Sequence, residues 1–280
     1  MAPGRWVDRK VLLHRQIYSQ AELDKADPKL LAESDSDYVW VPYLCRYQLY
    51  SVEDFRACTS RNGYKFLVIG SSIERTFYYD LLQFSDILFT PRKHYPISAG
   101  GTMTTASNNE TMHKNYNLRF LINLENCSLR VQALEQLVAV HGSAPTTVLV
   151  MGIGILESVA NCPYSAMEAN WPVVTRLLLK HKSGPVVWIS PSYVADWKFP
   201  SGHRSLRHSM TTEQMTRLYE NWKAIAPAQP FLMLDSFQMA ASMWDRSHDG
   251  IHHYSRSADL IGGPTSKWTM MVLANMICRE

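Results

Sequence analysis

The sequence predicts an α/β domain built on a parallel, doubly wound sheet, and three observations lead there. From about residue 61, short apolar runs alternate with segments whose apolar residues recur every three or four positions. Those runs are apolar on both faces, as strands covered from two sides must be. The chain also has 280 residues, 46% of them hydrophobic, enough to bury one large core, and no Pro/Gly/Ser linker, repeat or low-complexity tract divides it. Residues 1–60, rich in charge and aromatics, read as an irregular N-terminal segment packed on a domain formed by residues 61–280.

The elements follow in order. The turn dipeptide Asn62-Gly63 precedes the strand "YKFLVIG", which breaks at Gly70. Ile73, Phe77, Leu81 and Phe84 then mark one buried stripe of a helix. A short strand "DILFT" stops at Pro91, residues 91–116 read as a long loop, and "NLRFLINLE" (117–125) alternates like a strand. "TTVLVMG" (146–152) is a second buried strand, and Met167, Trp171, Val174 and Leu178 mark the next helix. "PVVWIS" is a third core strand, ended by Pro191. Thr211 and Gln214 have capping-box spacing ahead of a helix with Met215, Leu218, Trp222 and Ile225 on one face. "FLMLD" is a fourth strand, and Pro264 suits the first turn of a last helix reaching about Ile277. In a sheet of this kind any site lies at the carboxyl ends of the strands. Ser72, Gly152, the loop after Ser190 and the loop after Asp235 therefore share one edge.

Composition narrows the function classes. Net charge is +3, and the densest basic runs, Arg92-Lys93-His94 and Lys180-His181-Lys182, are too short for a nucleic-acid footprint. The longest apolar stretch, "VLVMGIGIL" (148–156), is about half a membrane span. "MAPGRWVDRK" has no apolar h-region and does not read as a signal peptide. Five cysteines (Cys45, Cys58, Cys127, Cys162, Cys278) lack metal-site spacing, so no metal site is expected. Two sequons, Asn109-Glu110-Thr111 and Asn126-Cys127-Ser128, hint at a secretory compartment. In an oxidising compartment Cys45 and Cys58, close in sequence, are placed to pair and leave an odd thiol elsewhere.

The chemistry concentrates in two segments. "DGIHH" (249–253) precedes the last helix, and one turn there places Asp249 and His252 at the same edge. A serine becomes a nucleophile only if an imidazole takes its proton, and that imidazole needs an acceptor on its other nitrogen. Ser72, at a helix start on the same edge, would gain from the amide dipoles that meet an oxyanion. Blander readings stand beside this one. Ser72 could simply cap its helix. "DGIHH" could be an ordinary turn with Gly250 at positive φ, or its His248, Asp249, His252 and His253 could hold a metal. His203 and His208 read as solvated, and Arg75 pairs either with a carboxylate or with an anionic substrate.

Together these segments resemble a family. Gly70-Ser71-Ser72-Ile73-Glu74-Arg75 is similar to the GDSxxR nucleophile motif of the PC-esterase branch of SGNH hydrolases, and Asp249-Gly250-Ile251-His252 to that superfamily's DxxH block. "WVPYLCRYQLYSVEDFRAC" (40–58) and the tail "TMMVLANMIC" (269–278) resemble that branch too, with the luminal catalytic domain of sialate O-acetyltransferases the nearest likeness. The resemblance implies a three-layer, flavodoxin-like fold. It implies Ser72 as acyl-accepting nucleophile with its amide in the oxyanion site, His252 as general base and Asp249 as its orienting partner. Arg75, Gly101 and Gly152 are the oxyanion or substrate candidates it suggests. It implies double displacement from an acyl donor, acetyl-CoA in a transferase, to a glycan hydroxyl or water, with sialic acid among the candidate substrates. No bound cofactor, nucleic-acid partner or membrane span is expected, and the compartment would be the Golgi lumen or outside the cell. Two positions depart from the pattern. Ser71 replaces the motif's aspartate, and the loop Gly152-Ile153-Gly154-Ile155-Leu156 offers no side-chain donor. Losing one oxyanion donor can cost roughly 3 kcal/mol or more.

Overall fold

Four parallel strands at the centre grow from the runs that are apolar on both faces. The structure is a computed structural model, and it describes residues 4–26, 38–43, 45–70, 73, 74, 77, 78, 81, 131–152, 164–181, 183–201, 210–225, 230–247, 249–252 and 264–278. In chain order the elements are β1 (Gly4–Asp8), α1 (Arg9–His14), α2 (Gln20–Ala26), β2 (Tyr38–Pro42), α3 (Val52–Arg61) and β3 (Lys65–Ile69). Then come α4 (Val131–Leu137), a π-helical turn (Val138–Gly142), β4 (Thr147–Gly152), α5 (Tyr164–His181) and β5 (Val186–Ile189). A 3-10 turn (Asp196–Lys198), α6 (Thr212–Ile225), β6 (Leu232–Leu234), α7 (Phe237–Ala241), a second 3-10 turn (Trp244–Arg246) and α8 (Pro264–Ile277) follow among the described residues.

The central sheet runs β3-β4-β5-β6, all parallel. Ile69 pairs with Met151, Met151 with Trp188, and Ile189 with Leu234, so the carboxyl ends of the strands line up. Alternation along each strand divides the core between two faces. Phe66, Val68, Val148, Val150, Val187 and Ile189 join Phe55 of α3 and the apolar residues of α8 on one side. Leu67, Ile69, Leu149, Met151, Val186 and Trp188 meet α4, α5 and α6 on the other. This is the three-layer α/β architecture, with a central parallel sheet, that the sequence leads one to expect. Each fully buried Leu, Ile or Val in it stabilises by about 1.5–3 kcal/mol over exposure.

Several local signals act as read. Gln214 N–H donates to Thr211 Oγ1 and Thr211 N–H to Gln214 Oε1, both at 3.1 Å, and α6 buries Met215, Leu218 and Trp222. Pro264 is the first residue of α8. Gly63 takes φ 61° just after α3. Trp171, Val174 and Leu178 are buried on α5, where Met167 also lies, its side chain outside the described residues. Ile73, Phe77 and Leu81 are helical, but Ile73 packs with the α4–α6 cluster while Phe77 and Leu81 join the opposite one. Phe84, "DILFT", the 91–116 loop and the 117–125 strand lie outside the described residues.

Among its described residues the N-terminal segment carries regular elements. β1 and β2 form a two-stranded antiparallel sheet, with Trp6 opposite Trp40, and three short helices accompany it. Trp6 meets Trp40 and Trp268 of α8 edge to face at 5.5 and 6.4 Å, and donates Nε1–H to the Met239 carbonyl at 3.1 Å. Long-range aromatic packing onto α8 holds these strands, which short-range periodicity does not reveal.

The cysteines also differ from expectation. Cys58 bonds to Cys278, with Cα atoms 5.7 Å apart and 220 positions between them in sequence. Cys45 is exposed and free. A capping box at Ser51 and Asp54 starts α3, so that Phe55 and Cys58 share its buried face toward α8, whereas Cys45 sits on the segment before it.

Candidate active site

The four strands of the sheet end at Ile69, Gly152, Ile189 and Leu234, and the residues that follow two of them, Ser190 and Asp235, are spent on structure. Ser190 Oγ accepts the N–H groups of Ser236 and Phe237 at 2.9 and 3.0 Å, which starts α7. Asp235 accepts the Tyr219 hydroxyl at 2.6 Å. Burial pushes the Asp235 carboxyl up, past the opposing effect of the Tyr219 and Gln238 hydrogen bonds, and also pushes the Tyr219 phenol up.

The 249–252 turn is built differently. Asp249 Oδ1 accepts the backbone N–H of Ile251 at 2.9 Å and of His252 at 2.8 Å, and Oδ2 lies 2.6 Å from His252 Nδ1. Gly250 sits at φ +82°, and a Cβ there would collide with the Ala195 carbonyl. Only glycine takes that conformation without strain. Ala195 N–H donates to the Gly250 carbonyl at 2.7 Å, which fastens the turn to the loop after β5. Ile251 is buried beneath it.

The electrostatics follow from that geometry. Burial alone would raise the Asp249 carboxyl. The His252 ring, its charge when protonated, and the two backbone N–H groups outweigh burial and hold it well below the usual carboxylate range. Asp249 is therefore ionised at any ordinary pH, and its acceptor keeps the His252 proton on Nδ1. Nε2 is left with a lone pair, and His252 remains partly open at 15% side-chain exposure. An imidazole held in this way can accept a proton and return it.

The structure thus brings together Asp249 and His252, which the sequence singles out. Ser72 lies outside the described residues, as do Ser71, Arg75, Gly101, His203, His208, His248 and His253. Gly152 ends β4, and its neighbour is one that the sequence reading passed over. Glu74 is buried at 4% exposure, and a Cβ on either Gly70 or Gly152 would overlap its side chain. The carboxylate therefore lies across the ends of β3 and β4. A side chain at either position would collide with Glu74, so packing requires glycine at both. The signal was present as two glycines ending adjacent parallel strands, with an acid one turn beyond the first, but only the strand pairing makes them neighbours.

No family model matches the chain, and no curated protein matches it. Among solved structures it is similar to a member of the lipolytic protein G-D-S-L family from Veillonella parvula DSM 2008, with 11% identity and a TM-score of 0.38 over 58% of this chain and 78% of that one. A second solved structure is similar at 12% identity and a TM-score of 0.39, over 56% of this chain and 71% of that one. Both likenesses are slight, and the residues of this chain carry the functional reading.

Proposed function

We propose that the chain is an SGNH-type hydrolase of the PC-esterase branch, similar to sialate O-acetyltransferases. It would act as a serine-dependent O-acetyltransferase or O-acetylesterase on glycan hydroxyls, with sialic acid among the candidates. The observation that carries this reading is the 2.6 Å Asp249–His252 pair on a turn fastened beside the sheet's carboxyl edge. In the first half-reaction Ser72 Oγ attacks the acyl carbonyl as His252 Nε2 takes its proton. The tetrahedral oxyanion collapses, the acyl–oxygen or acyl–sulfur bond breaks, and His252 returns the proton to the leaving group. In the second half-reaction a sugar hydroxyl or water gives its proton to His252 and attacks acyl-Ser72. The acyl group leaves Ser72, which regains the proton. Arg75, Gly101 and Gly152 are assigned to the oxyanion or substrate site. The donor is acetyl-CoA if the enzyme is a transferase, and no resident cofactor enters either step. The Cys58–Cys278 disulfide and the two sequons favour the Golgi lumen or the cell exterior. The division into a 1–60 segment and a 61–280 catalytic domain belongs to the same proposal.

Turnover of 4-nitrophenyl acetate tests it. Ser72→Ala should abolish hydrolysis while the thermal midpoint stays near that of wild type, and retained activity in a folded Ser72→Ala protein would sink the reading. A second reading is a catalytically inactive SGNH-like domain that binds glycans or another protein. Ser71 favours it, because it removes a carboxylate from the nucleophile turn, and so does the donor-free stretch after Gly152. A folded wild-type protein without turnover would favour this alternative.

A further inference from the structure

Of the chain's eight tryptophans, Trp40, Trp171, Trp188, Trp222 and Trp268 are buried and Trp6 is half-buried. Trp197 and Trp244 stay in water at 53% and 44% exposure. They come from different loops yet touch, with ring centroids 5.7 Å apart and planes at 67°. Two large indoles left side by side in water mark a surface that meets something.

The pair is held in place. Lys198 Nζ donates to the carbonyls of Trp244 and Asp245 at 3.3 and 3.0 Å, and lies 5.6 Å from the centre of the Trp244 ring. The Thr212 hydroxyl, at the start of α6, lies 2.7 Å from the Val194 carbonyl and 2.9 Å from Asp196 Oδ1 and shares its one proton between these two acceptors. Both indole-bearing turns are therefore set before any ligand arrives, which lowers the ordering cost of binding. They also flank the candidate site. Ala195 bonds to Gly250, the Phe199 ring packs against Gly250, and Trp244 lies just upstream of Asp249.

We infer that Trp197 and Trp244 form a carbohydrate-binding platform beside the Asp249–His252 turn. The indoles take the apolar C–H face of a pyranose ring, and the Lys198 ammonium borders them to meet its hydroxyls. An acyl chain needs a concave, water-excluding groove, whereas these rings are open and have charged neighbours. A ligand apolar on its face and polar around its edge fits them. This inference rests on the glycan-directed part of the function proposed above.

Calorimetric titration of the full chain with sialyllactose and with xylotetraose tests it. Wild type should bind at least one of them. Trp197→Ala and Trp244→Ala should each raise the Kd about tenfold, the loss of one ring contact. Trp197→Phe should recover most of the affinity, and thermal midpoints should show all variants folded. Fluorophosphonate labelling of wild-type Ser72 reports on the catalytic reading separately. No binding of either sugar, or equal binding by the alanine variants, overturns the platform even if Ser72 labels. Ring-dependent binding without labelling supports the platform and removes the catalysis.

Discussion

Asp249 and Asp235 stand at the same edge of one sheet, both largely buried, and each sits 2.6 Å from a hydrogen-bond partner. Their carboxyls are nevertheless driven in opposite directions. Asp249 meets an imidazole that can carry positive charge and two backbone N–H groups on its other oxygen, and is held ionised. Asp235 meets a phenol and a long 3.4 Å backbone bond from Gln238, and burial prevails. Burial raises both carboxyls, and it is outweighed only where a donor that can carry positive charge faces the carboxylate. One aspartate orients an imidazole, and the other accepts a backbone N–H of α7.

The largest expected effects separate the two in turnover. With 4-nitrophenyl acetate as substrate, His252→Ala should lower kcat by on the order of 10⁶, as loss of a triad base does. Asp249→Asn, which lets the imidazole take the wrong tautomer, should lower it by about 10⁴. Asp235→Asn should leave kcat close to wild type. If Asp235→Asn and Asp249→Asn lowered kcat equally, the contrast between the two aspartates would be gone.

Stability effects come next. Cys278→Ser removes a crosslink that closes 220 residues and should lower the unfolding free energy in urea by about 2–5 kcal/mol. A reductant should do the same to wild type and nothing further to the variant. Gly152→Ala places a methyl group onto Glu74 and should destabilise by about 1–3 kcal/mol. Much of that loss should vanish when Gly152→Ala is made in a Glu74→Ala background, a coupling of about 1–2 kcal/mol. Strict additivity would mean that Glu74 does not fill the space between the two strand ends.

The smallest effect is the one that most sharpens the comparison. Asp249 has a depressed carboxyl in the fold, so its stabilisation is complete above the unfolded value, about 3.9, and is lost as pH falls below it. Asp235 has a raised carboxyl, so stability is lost as pH rises from about 3.9 through the folded value, and is constant above that. In urea titrations between about pH 3 and 6, Asp249→Asn should flatten the loss on the acid side. Asp235→Asn should remove the opposing loss on the rising side. Slopes that change in the same direction would contradict the opposite settings of the two groups.

Much of this edge is legible in the sequence because its signals are local. A strand apolar on both faces, Thr211 and Gln214 three apart, Pro264 at a helix start and Asp249-Gly250-Ile251-His252 in one turn each depend on neighbours within about one turn of chain. What the sequence does not disclose depends on partners far away. β1 and β2 become strands by pairing with each other and packing Trp6 on Trp268. Cys58 finds Cys278 only once α3 and α8 lie on the same face of the sheet. Glu74 stands beside Gly152 only because β3 and β4 are neighbours in parallel register.

The central claim is that Asp249 and His252 activate Ser72, and covalent labelling tests it most directly. Purified wild-type protein would be treated with a fluorophosphonate near neutral pH and the modified peptide identified by mass spectrometry. A single adduct on Ser72, lost in His252→Ala while that variant remains folded, is the expected result. A folded wild type that takes no label, or takes it on another serine, would contradict the account.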